Sequence, residues 1–242
     1  MTILITGITG ALGSELKKIY PDSISPTHKD FDICELSSVK DIFNNQKIDV
    51  VIHTAALTTV RGCEENKTQA MRINVQGTKN LVEEFKNSNP LGKFVYISTA
   101  CVFDGHSGMY TENSIPYPEN FYSLTKLLGE YIVNQFENSL IIRTNFVGRK
   151  TWPYPKAFTD RFGTYLFANQ VASGIKDVLD ENLQGIIHIV GNKKISMFEL
   201  AKLTTPDIQA MTMNDYSGPP LTIDMSLYTE RWKKYNIKDI NK

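Results

Sequence analysis

The chain has 242 residues, of which 41% are hydrophobic and 21% are charged, a composition typical of one globular domain or of one domain with a small addition. Its 26 basic and 26 acidic residues cancel to a formal net charge of zero, and no basic stretch alternates with aromatic residues, so we expect no nucleic-acid binding. No apolar run approaches the roughly 20 residues that span a bilayer. The N-terminus lacks a signal-peptide pattern, and the three widely spaced cysteines form no metal motif, so we expect a reduced, cytoplasmic protein without metal.

Short apolar segments alternate with segments of helical apolar spacing along the first part of the chain. The predicted strands are ILIT (3–6), VVIHTAA (50–56), KFVYIST (93–99) and SLIIRT (139–144). The predicted helices are ALGSELKKIY (11–20), residues 64–87 and NFYSLTKLLGEYIVNQF (120–136). Continuously apolar strands that alternate with helices indicate an α/β fold with a parallel sheet covered on both faces.

The alternation weakens after about residue 148. Residues 148–167 are rich in proline, glycine and aromatic residues, which predicts loops and a short strand. A helix over 170–181, a strand over 185–191 and a short helix capped by Ser196 follow. We therefore expect an α/β core over 1–148 and a small, irregular part over 149–242 that is interleaved with the core.

Three glycines, Gly7, Gly10 and Gly13, separate the first strand from the first helix. The first permits a tight turn, the second lets a pyrophosphate approach the backbone, and the third lets helix and strand pack closely. The amides at the start of the helix then face the phosphate charge. The loop predicts a dinucleotide site that also includes Ala11 and Leu12, and an ordinary strand–helix turn is the alternative.

The residue about 20 positions after the first glycine of such a loop distinguishes NAD from NADP, because an acid binds the ribose hydroxyl and a cation suits a 2′-phosphate. This position falls near Thr27, where no carboxylate stands and where His28 and Lys29 follow. The sequence therefore favours NADP over NAD. Asp32 and Ile33 are expected to approach the adenine.

Several motifs together resemble the extended short-chain dehydrogenases/reductases. They are the glycine loop, AA at 55–56, INVQGTKNL at 73–81, STACVFDG at 98–105 and YSLTK at 122–126. DFDI, YTENSIPYPENFYSLTKLLGE and IIRTNFVG resemble the dTDP-4-dehydrorhamnose reductase branch, which also includes the regulatory β subunit of methionine adenosyltransferase. The resemblance implies a Rossmann-type, doubly wound core over 1–148 that binds NADP or NAD, and a trimmed part over 149–242 that binds a nucleotide-sugar substrate.

The resemblance also implies a catalytic set of Thr99, Tyr122 and Lys126. Tyr122 would protonate a carbonyl oxygen as a hydride arrives from the nicotinamide. Lys126 would hold the nicotinamide ribose, and its positive charge would lower the pKa of the phenol. Thr99 would hydrogen-bond the substrate carbonyl, with Ser98 as the alternative hydroxyl.

Other positions carry over from the same resemblance. Ala55, Ala56 and Leu57 would line the cofactor, because small side chains at the end of a strand leave room for it. Asn74 would tie the helix after that strand to a neighbouring loop. His53 is expected to be a buried, hydrogen-bonded strand residue rather than a base.

The substrate side departs from the resemblance. The branch has Asp and Tyr after the catalytic threonine, whereas this chain has Ala100 and Cys101, and Phe146 replaces a tryptophan. Substrate contacts are expected from Ala100, Cys101, Asn145 and Phe146. Arg143 is either structural or a substrate contact.

A second departure lies between residues 148 and 160, where two prolines exclude the helix that relatives typically place over the sugar nucleotide. Two alternatives stay open for the aromatic and cationic side chains nearby, a surface for a nucleotide diphosphate or a cap on the core. These side chains are Trp152, Tyr154, Lys156 and Arg161.

The sequence thus predicts NAD(P)H-dependent reduction of a keto-deoxysugar nucleotide. Two alternatives remain, a catalytically silent dinucleotide-binding regulatory subunit, which the trimmed substrate part favours, and an NAD-dependent sugar-nucleotide epimerase. A homodimer is expected through residues 64–87 and 120–138, with Phe85, Leu127 and Tyr131 as exposed apolar contacts.

Overall fold

Apolar strands and amphipathic helices alternate through the chain, and the computed structural model describes residues 1–237. The strands are β1 (Ile3–Thr6), β2 (Val50–His53), β3 (Lys93–Ile97), β4 (Ser139–Arg143), β5 (Phe146–Val147), β6 (Lys156–Phe158), β7 (Phe162–Gly163), β8 (Leu166–Phe167), β9 (Gly185–His188), β10 (Ile195–Ser196), β11 (Gln209–Met211) and β12 (Asp224–Met225). The α-helices are α1 (Ala11–Ile19), α2 (Leu36–Asn45), α3 (Val60–Glu65), α4 (Lys67–Met71), α5 (Thr78–Ser88), α6 (Phe121–Val133), α7 (Ala168–Asp180) and α8 (Met197–Lys202). In the described chain, no helix is long and apolar enough to cross a membrane.

Five strands form one parallel sheet in the order β1–β2–β3–β4–β9, with Ile3 opposite Val50 and Phe94 opposite Ser139. On the other side of β1, Ile24 extends the sheet through a single parallel bridge. The chain therefore leaves β1 to one side and returns as β2 on the other. This reversal creates a crevice at the carboxyl ends of the strands, and it confirms the predicted doubly wound parallel sheet.

Helices cover both faces of this sheet. Helices α1 and α7 pack on one face, where Leu12 and Val171 join the apolar side chains of the strands. Helices α2, α5 and α6 pack on the other face around Phe85 and Phe136, whose ring centroids lie 5.4 Å apart. Phe85 is fully buried because it lies on the face of α5 that meets the sheet, so the expectation of an exposed dimer contact at Phe85 is wrong. Tyr131 is 66% exposed, and the homodimer stays a prediction.

The segment predicted as one helix over 64–87 is broken. Helix α3 ends at Glu65, and Asn66 leaves the helical region with φ −133° and ψ 75°. The Asn66 side chain accepts a hydrogen bond from the Gln69 backbone N–H at 3.0 Å and thereby starts α4. A π-helical turn over Arg72–Gly77 then joins α4 to α5. Apolar spacing predicts helical structure, but it does not show a local cap that interrupts the helix.

The chain after β4 forms short strands against the end of the main sheet. Strands β10, β7 and β12 make a three-stranded sheet, and β6–β11 and β5–β8 are separate pairs. Residues 148–155 form no helix, as the prolines predict. Ser196 caps α8 as predicted, because its hydroxyl accepts a hydrogen bond from the Glu199 backbone N–H at 3.1 Å. One apolar cluster joins residues 100–103 to Tyr165 and Met225, so this part packs directly on the segment that follows β3.

Candidate dinucleotide and catalytic site

A cleft of about 490 Å³ opens at the carboxyl ends of β1, β2 and β3. The predicted cofactor residues that line it are Gly7, Gly10, Ala11, Leu12, Gly13, His28, Asp32, Ile33, Ala55, Ala56, Leu57, Tyr122 and Lys126. Lys29 is exposed and lies outside this lining. Sequence reasoning missed Thr54 and Thr58, which line the cleft on either side of the predicted alanines.

The glycine loop has no room for side chains at two of its positions. Gly7 has φ 75°, and a Cβ there would lie 2.7 Å from the backbone nitrogen of Ala55. A Cβ on Gly13 would lie 2.3 Å from the carbonyl oxygen of Gly7. The Gly10 N–H donates to that same carbonyl at 3.0 Å, and α1 begins at Ala11. The loop therefore turns tightly into a helix whose first amides can receive an anionic group.

The opposite end of the cleft carries one imidazole and one carboxylate. His28 is exposed and lines the cleft. The Asp32 carboxylate accepts a hydrogen bond from the Cys34 backbone N–H at 2.9 Å, and the Asp30 carboxylate accepts one from the Thr27 hydroxyl at 2.6 Å. Both acids are therefore engaged by their own loop.

His53 is the last residue of β2 and directly precedes the cleft-lining residue Thr54. Its Nδ1 lies 2.7 Å from the Thr6 hydroxyl, its Nε2 lies 3.0 Å from the Thr78 hydroxyl, and it is 1% exposed. Burial, together with the nearby charge of Lys126, lowers the pKa of His53 to about 3. The Thr6 hydroxyl also accepts a hydrogen bond from the Ala55 backbone N–H at 3.3 Å. His53 is therefore a neutral, buried strand residue, as predicted, and it helps to fix the loop that follows β2.

A single buried amide joins the cofactor loop to the helix that carries YSLTK. The Asn74 side chain accepts a hydrogen bond from the Leu57 backbone N–H at 2.8 Å and donates to the Leu57 carbonyl at 3.0 Å. It also donates to the Thr125 hydroxyl at 2.9 Å. The predicted tie to a neighbouring loop is confirmed, and the structure adds α6 to it.

Local caps set the start of α6. The Asn120 side chain accepts a hydrogen bond from the Ser123 backbone N–H at 2.9 Å, and the Glu64 carboxylate accepts one from the Phe121 backbone N–H at 2.7 Å. The helix therefore begins one residue before Tyr122. Positions 122 and 126 then lie on one face of the helix, and both side chains line the cleft.

Thr99 and Tyr122 meet beside the cleft. Thr99 follows β3, its hydroxyl accepts a hydrogen bond from the Cys101 backbone N–H at 3.1 Å, and it also hydrogen-bonds the Tyr122 phenol. Burial raises the pKa of Tyr122 above its usual range, the Cys101 thiol raises it further, and the Thr99 hydrogen bond lowers it. The pKa of Tyr122 is thus raised on balance, whereas the sequence predicts a lowered value, because desolvation outweighs the Thr99 hydrogen bond. Tyr122 therefore keeps its proton at neutral pH.

Lys126 is nearly enclosed, with 4% of its surface exposed and its ammonium 4.0 Å from the centroid of the Tyr96 ring. Burial lowers the pKa of Lys126 to about 7, and the Glu130 carboxylate opposes this shift. Sequence reasoning missed Glu130, although its spacing of four after Lys126 was a usable signal. Arg143 donates to Glu130 through Nε at 2.9 Å and through Nη2 at 2.6 Å, so Arg143 is one half of a buried ion pair.

The four predicted substrate residues separate into two groups. Phe146 lines the cleft. Ala100 and Cys101 lie buried in a 3₁₀ turn, where the Cys101 sulfur is 3.3 Å from the sulfur of Met225. The Asn145 amide donates to the Met225 carbonyl at 2.7 Å. Three of the four side chains are therefore packed against Met225 or its surroundings and do not form walls of the cleft.

Arg161 is a buried cation whose contacts include no carboxylate among the residues that the structure describes. Its Nε donates to the Thr222 carbonyl at 2.8 Å, and its two Nη atoms lie 3.3 Å from the Met197 sulfur and 3.4 Å from the Met225 sulfur. The nearby Tyr165 hydroxyl is buried, and it has no hydrogen-bond partner within residues 1–237. Thioethers are weak acceptors, and within residues 1–237 this guanidinium makes no ion pair.

The other members of the proposed aromatic and cationic surface form a local group. Trp152 and Tyr154 contact edge to face with ring centroids 6.2 Å apart. The Trp152 indole N–H donates to the Lys156 carbonyl at 3.2 Å. Tyr154 and Lys156 are exposed, so this surface is open to solvent.

Comparisons with known proteins agree with this architecture. The family model described as RmlD substrate binding domain matches residues 1–222. The methionine adenosyltransferase 2 subunit beta of Xenopus laevis is 30% identical over 234 residues, which cover 82% of this chain and 69% of that protein. The structure of a dTDP-4-dehydrorhamnose reductase from Clostridium acetobutylicum is 29% identical, with a TM-score of 0.86 over 94% of this chain and 90% of the other. The dTDP-4-dehydrorhamnose reductase of Bacillus anthracis, solved in complex with NADP, shares the fold at 23% identity, with a TM-score of 0.84 over 94% of this chain and 90% of the other.

Proposed function

The chain belongs to the RmlD substrate binding domain family, and we propose that it is an NAD(P)H-dependent reductase of a keto-deoxysugar nucleotide. The observation that carries this proposal is that Tyr122 and Lys126 line one end of a glycine-lined cleft, with Thr99 beside Tyr122. The similarity to the Clostridium acetobutylicum reductase supports the same assignment. The fold shared with a reductase solved with NADP supports the cofactor class.

The chain's own residues supply the proton and hold the reactants. When bound, NAD(P)H would supply a hydride to the carbonyl carbon of the substrate. Tyr122 would give its phenolic proton to the carbonyl oxygen, which Thr99 orients by a hydrogen bond, so that an alcohol forms. The raised pKa of Tyr122 keeps this proton in place beforehand. The Lys126 ammonium would then stabilise the phenolate and bind the ribose hydroxyls.

The adenosine end of the cleft favours NADPH over NADH. His28 is the basic side chain among the residues that line this end, and the carboxylates of Asp30 and Asp32 are held by Thr27 and Cys34. Within residues 1–237, the acid that lines this end of the cleft is Asp32, and one of its two carboxylate oxygens is engaged by its own loop. A fluorescence titration should give a lower dissociation constant for NADPH than for NADH, and the reverse order would contradict this preference.

A panel of 4-keto-6-deoxy nucleotide sugars tests the activity. Each compound is mixed with the protein and NADPH, and the absorbance of the reduced nicotinamide is followed. We expect oxidation of NADPH with at least one compound and a product that carries a hydroxyl at the former keto carbon. Tight NADPH binding without oxidation by any member of the panel would contradict the proposal.

A catalytically silent regulatory subunit is the second candidate. The 30% identity to the methionine adenosyltransferase subunit favours it, and so does the burial of Ala100, Cys101 and Asn145 away from the cleft. Such a protein would bind the dinucleotide but oxidise none of it. An epimerase would instead keep NAD bound through purification, which a mass spectrum of the native protein would detect.

A further inference from the structure

The side chains around Lys126 include one carboxylate, that of Glu130. Tyr122 on α6 and Tyr96 on β3 face it, and burial raises the pKa of both phenols. His53 on β2 is neutral, because burial lowers its pKa to about 3. Glu130 follows Lys126 by one turn of α6 and is the acid whose charge opposes the lowered pKa of the lysine. Within residues 1–237, then, Glu130 supplies the negative charge that favours the ammonium form.

Glu130 is fixed to the sheet rather than to the lysine. Its carboxylate accepts a hydrogen bond from the Ser98 hydroxyl at 2.5 Å, at the end of β3. It also accepts two from Arg143 at the end of β4, at 2.9 and 2.6 Å. The side chains of Arg143 and Glu130 are 2% and 5% exposed. In the described chain, no carboxylate oxygen lies within ion-pair distance of the Lys126 ammonium, so the charge of Glu130 acts without direct contact.

A buried ion pair is a weak source of stability. Replacement of such a pair by apolar residues of similar volume is often neutral or stabilising, because the pair must be desolvated. This pair also leaves Nη1 of Arg143 without a hydrogen-bond partner in residues 1–237. Stability alone therefore does not account for a carboxylate at position 130.

We propose that Glu130, held by Ser98 and Arg143, is a positioning residue whose charge favours the ammonium form of Lys126 in the cleft. The inference rests on the proposed function only for the use of that charge, which is to bind the ribose and to stabilise the Tyr122 phenolate. Arg143 has a second effect, because its guanidinium offsets part of the Glu130 charge. Removal of the Glu130 carboxylate should therefore lower the pKa of Lys126, whereas removal of the Arg143 guanidinium should raise it.

The pKa of Lys126 can be measured without any ligand. An NMR titration of isotope-labelled lysine side chains follows each ammonium, and the Lys126→Met variant assigns the resonance. The wild type should titrate at about 7. Glu130→Gln should lower this pKa by about one unit or more, which is a tenfold loss of proton affinity. Arg143→Gln should raise it, because the full Glu130 charge then acts on the lysine.

Shifts of the Lys126 pKa in opposite directions in the two variants distinguish an electrostatic role of Glu130 from a purely structural one. If Glu130 and Arg143 only hold the fold, both variants lose stability, and the pKa of Lys126 moves in the same direction in both or in neither. Either result would overturn the proposal. If a single variant fails to fold, the double variant Glu130→Gln/Arg143→Met removes both buried charges. Its Lys126 pKa should lie below that of the wild type, and a value equal to or above the wild type would refute the proposal.

The dissociation constant of NADPH over the same pH range distinguishes this inference from the proposed function. We expect affinity to decline in each variant as the pH rises through its own Lys126 pKa. If the pKa values shift as expected but the pH dependence of NADPH affinity does not follow them, the cofactor role of Lys126 is wrong and the role of Glu130 stands. If the pKa values do not shift but affinity still falls above pH 7 in the wild type, the cofactor role stands and the role of Glu130 is wrong.

Discussion

The dinucleotide cleft and the substrate side of this protein are built in different ways. Around the cleft, buried side chains such as His53 and Asn74 bond to backbone and hydroxyl groups, and they thereby hold the loops that carry the lining residues. On the substrate side, Cys101 and Asn145 are themselves in contact with Met225. The loops that line the cleft are therefore held in place by buried hydrogen bonds, whereas two of the predicted substrate residues are occupied by contacts with Met225.

The largest expected effect separates chemistry from cofactor binding within the cleft. Tyr122→Phe removes one hydroxyl, so it should lower turnover by roughly 10²–10⁴ while the affinity for NADPH stays unchanged. Steady-state rates and a fluorescence titration measure the two quantities. Tyr131→Phe on the same helix, 66% exposed, is the matched control and should leave both unchanged. Undiminished turnover in Tyr122→Phe would remove the catalytic assignment.

A second pair of variants tests whether the glycine loop is preformed. Gly13→Ala places a Cβ about 2.3 Å from the Gly7 carbonyl oxygen, so the loop must shift, and NADPH affinity should fall by about 10–100-fold. Gly148→Ala places its Cβ 3.5 Å from the Ala11 Cβ, which is an ordinary contact, and should bind normally. Equal affinities in the two variants would show that the loop adapts to its ligand.

A third variant tests the substrate side by itself. Arg161→Met removes a buried cation that makes no ion pair within residues 1–237, and the new side chain would lie near Met197 and Met225. If Arg161 binds an anionic group of the substrate, the KM for the nucleotide sugar should rise roughly tenfold or more, because hydrogen bonds to charged groups contribute about 1.5–3 kcal/mol. The dissociation constant of NADPH should stay the same. Lys156→Met, at an exposed position of β6, is the control, and an unchanged KM in Arg161→Met would assign Arg161 to the core.

The last expected effect concerns stability in acid rather than activity. Burial lowers the pKa of His53 to about 3 and that of His188 to about 4, whereas an unfolded histidine titrates near 6.5. The unfolded chain therefore binds more protons below pH 6.5, and the free energy of unfolding should fall as the pH falls from 6.5 towards 4. Urea midpoints at several pH values should show this slope, and His53→Gln or His188→Gln should each reduce it. The exposed His106 is the control, and an equal slope in all variants would contradict the account.

The sequence predicts the parts of the fold that depend on local pattern. The sheet and the cleft could be predicted because their signals lie among residues close in sequence. These signals are the apolar strands, the glycine loop and the spacing of Tyr122 and Lys126. Apolar spacing also shows that residue 85 belongs to a buried or contacting face, but it does not distinguish the core from a dimer interface. Phe85 lies in the core for a reason that only tertiary packing shows.

The remaining features depend on contacts between residues that are distant in sequence. Cys101 lies beside Met225, and Glu130 lies between Ser98 and Arg143, although no local motif joins these positions. Strands β5, β7 and β8 have two residues each, which is too short for a periodic signal. The contacts on the substrate side could therefore not be predicted from the sequence.

The central claim is that this protein transfers a hydride from NADPH to a keto sugar and a proton from Tyr122. Transfer of deuterium from NADPH labelled at the reactive carbon, read by mass spectrometry of the sugar product, tests it most directly. We expect one deuterium at the former keto carbon with the wild type and far slower formation of the same product with Tyr122→Phe. Saturating NADPH binding with no label in any nucleotide sugar would contradict it and would identify a dinucleotide-binding protein without reductase activity.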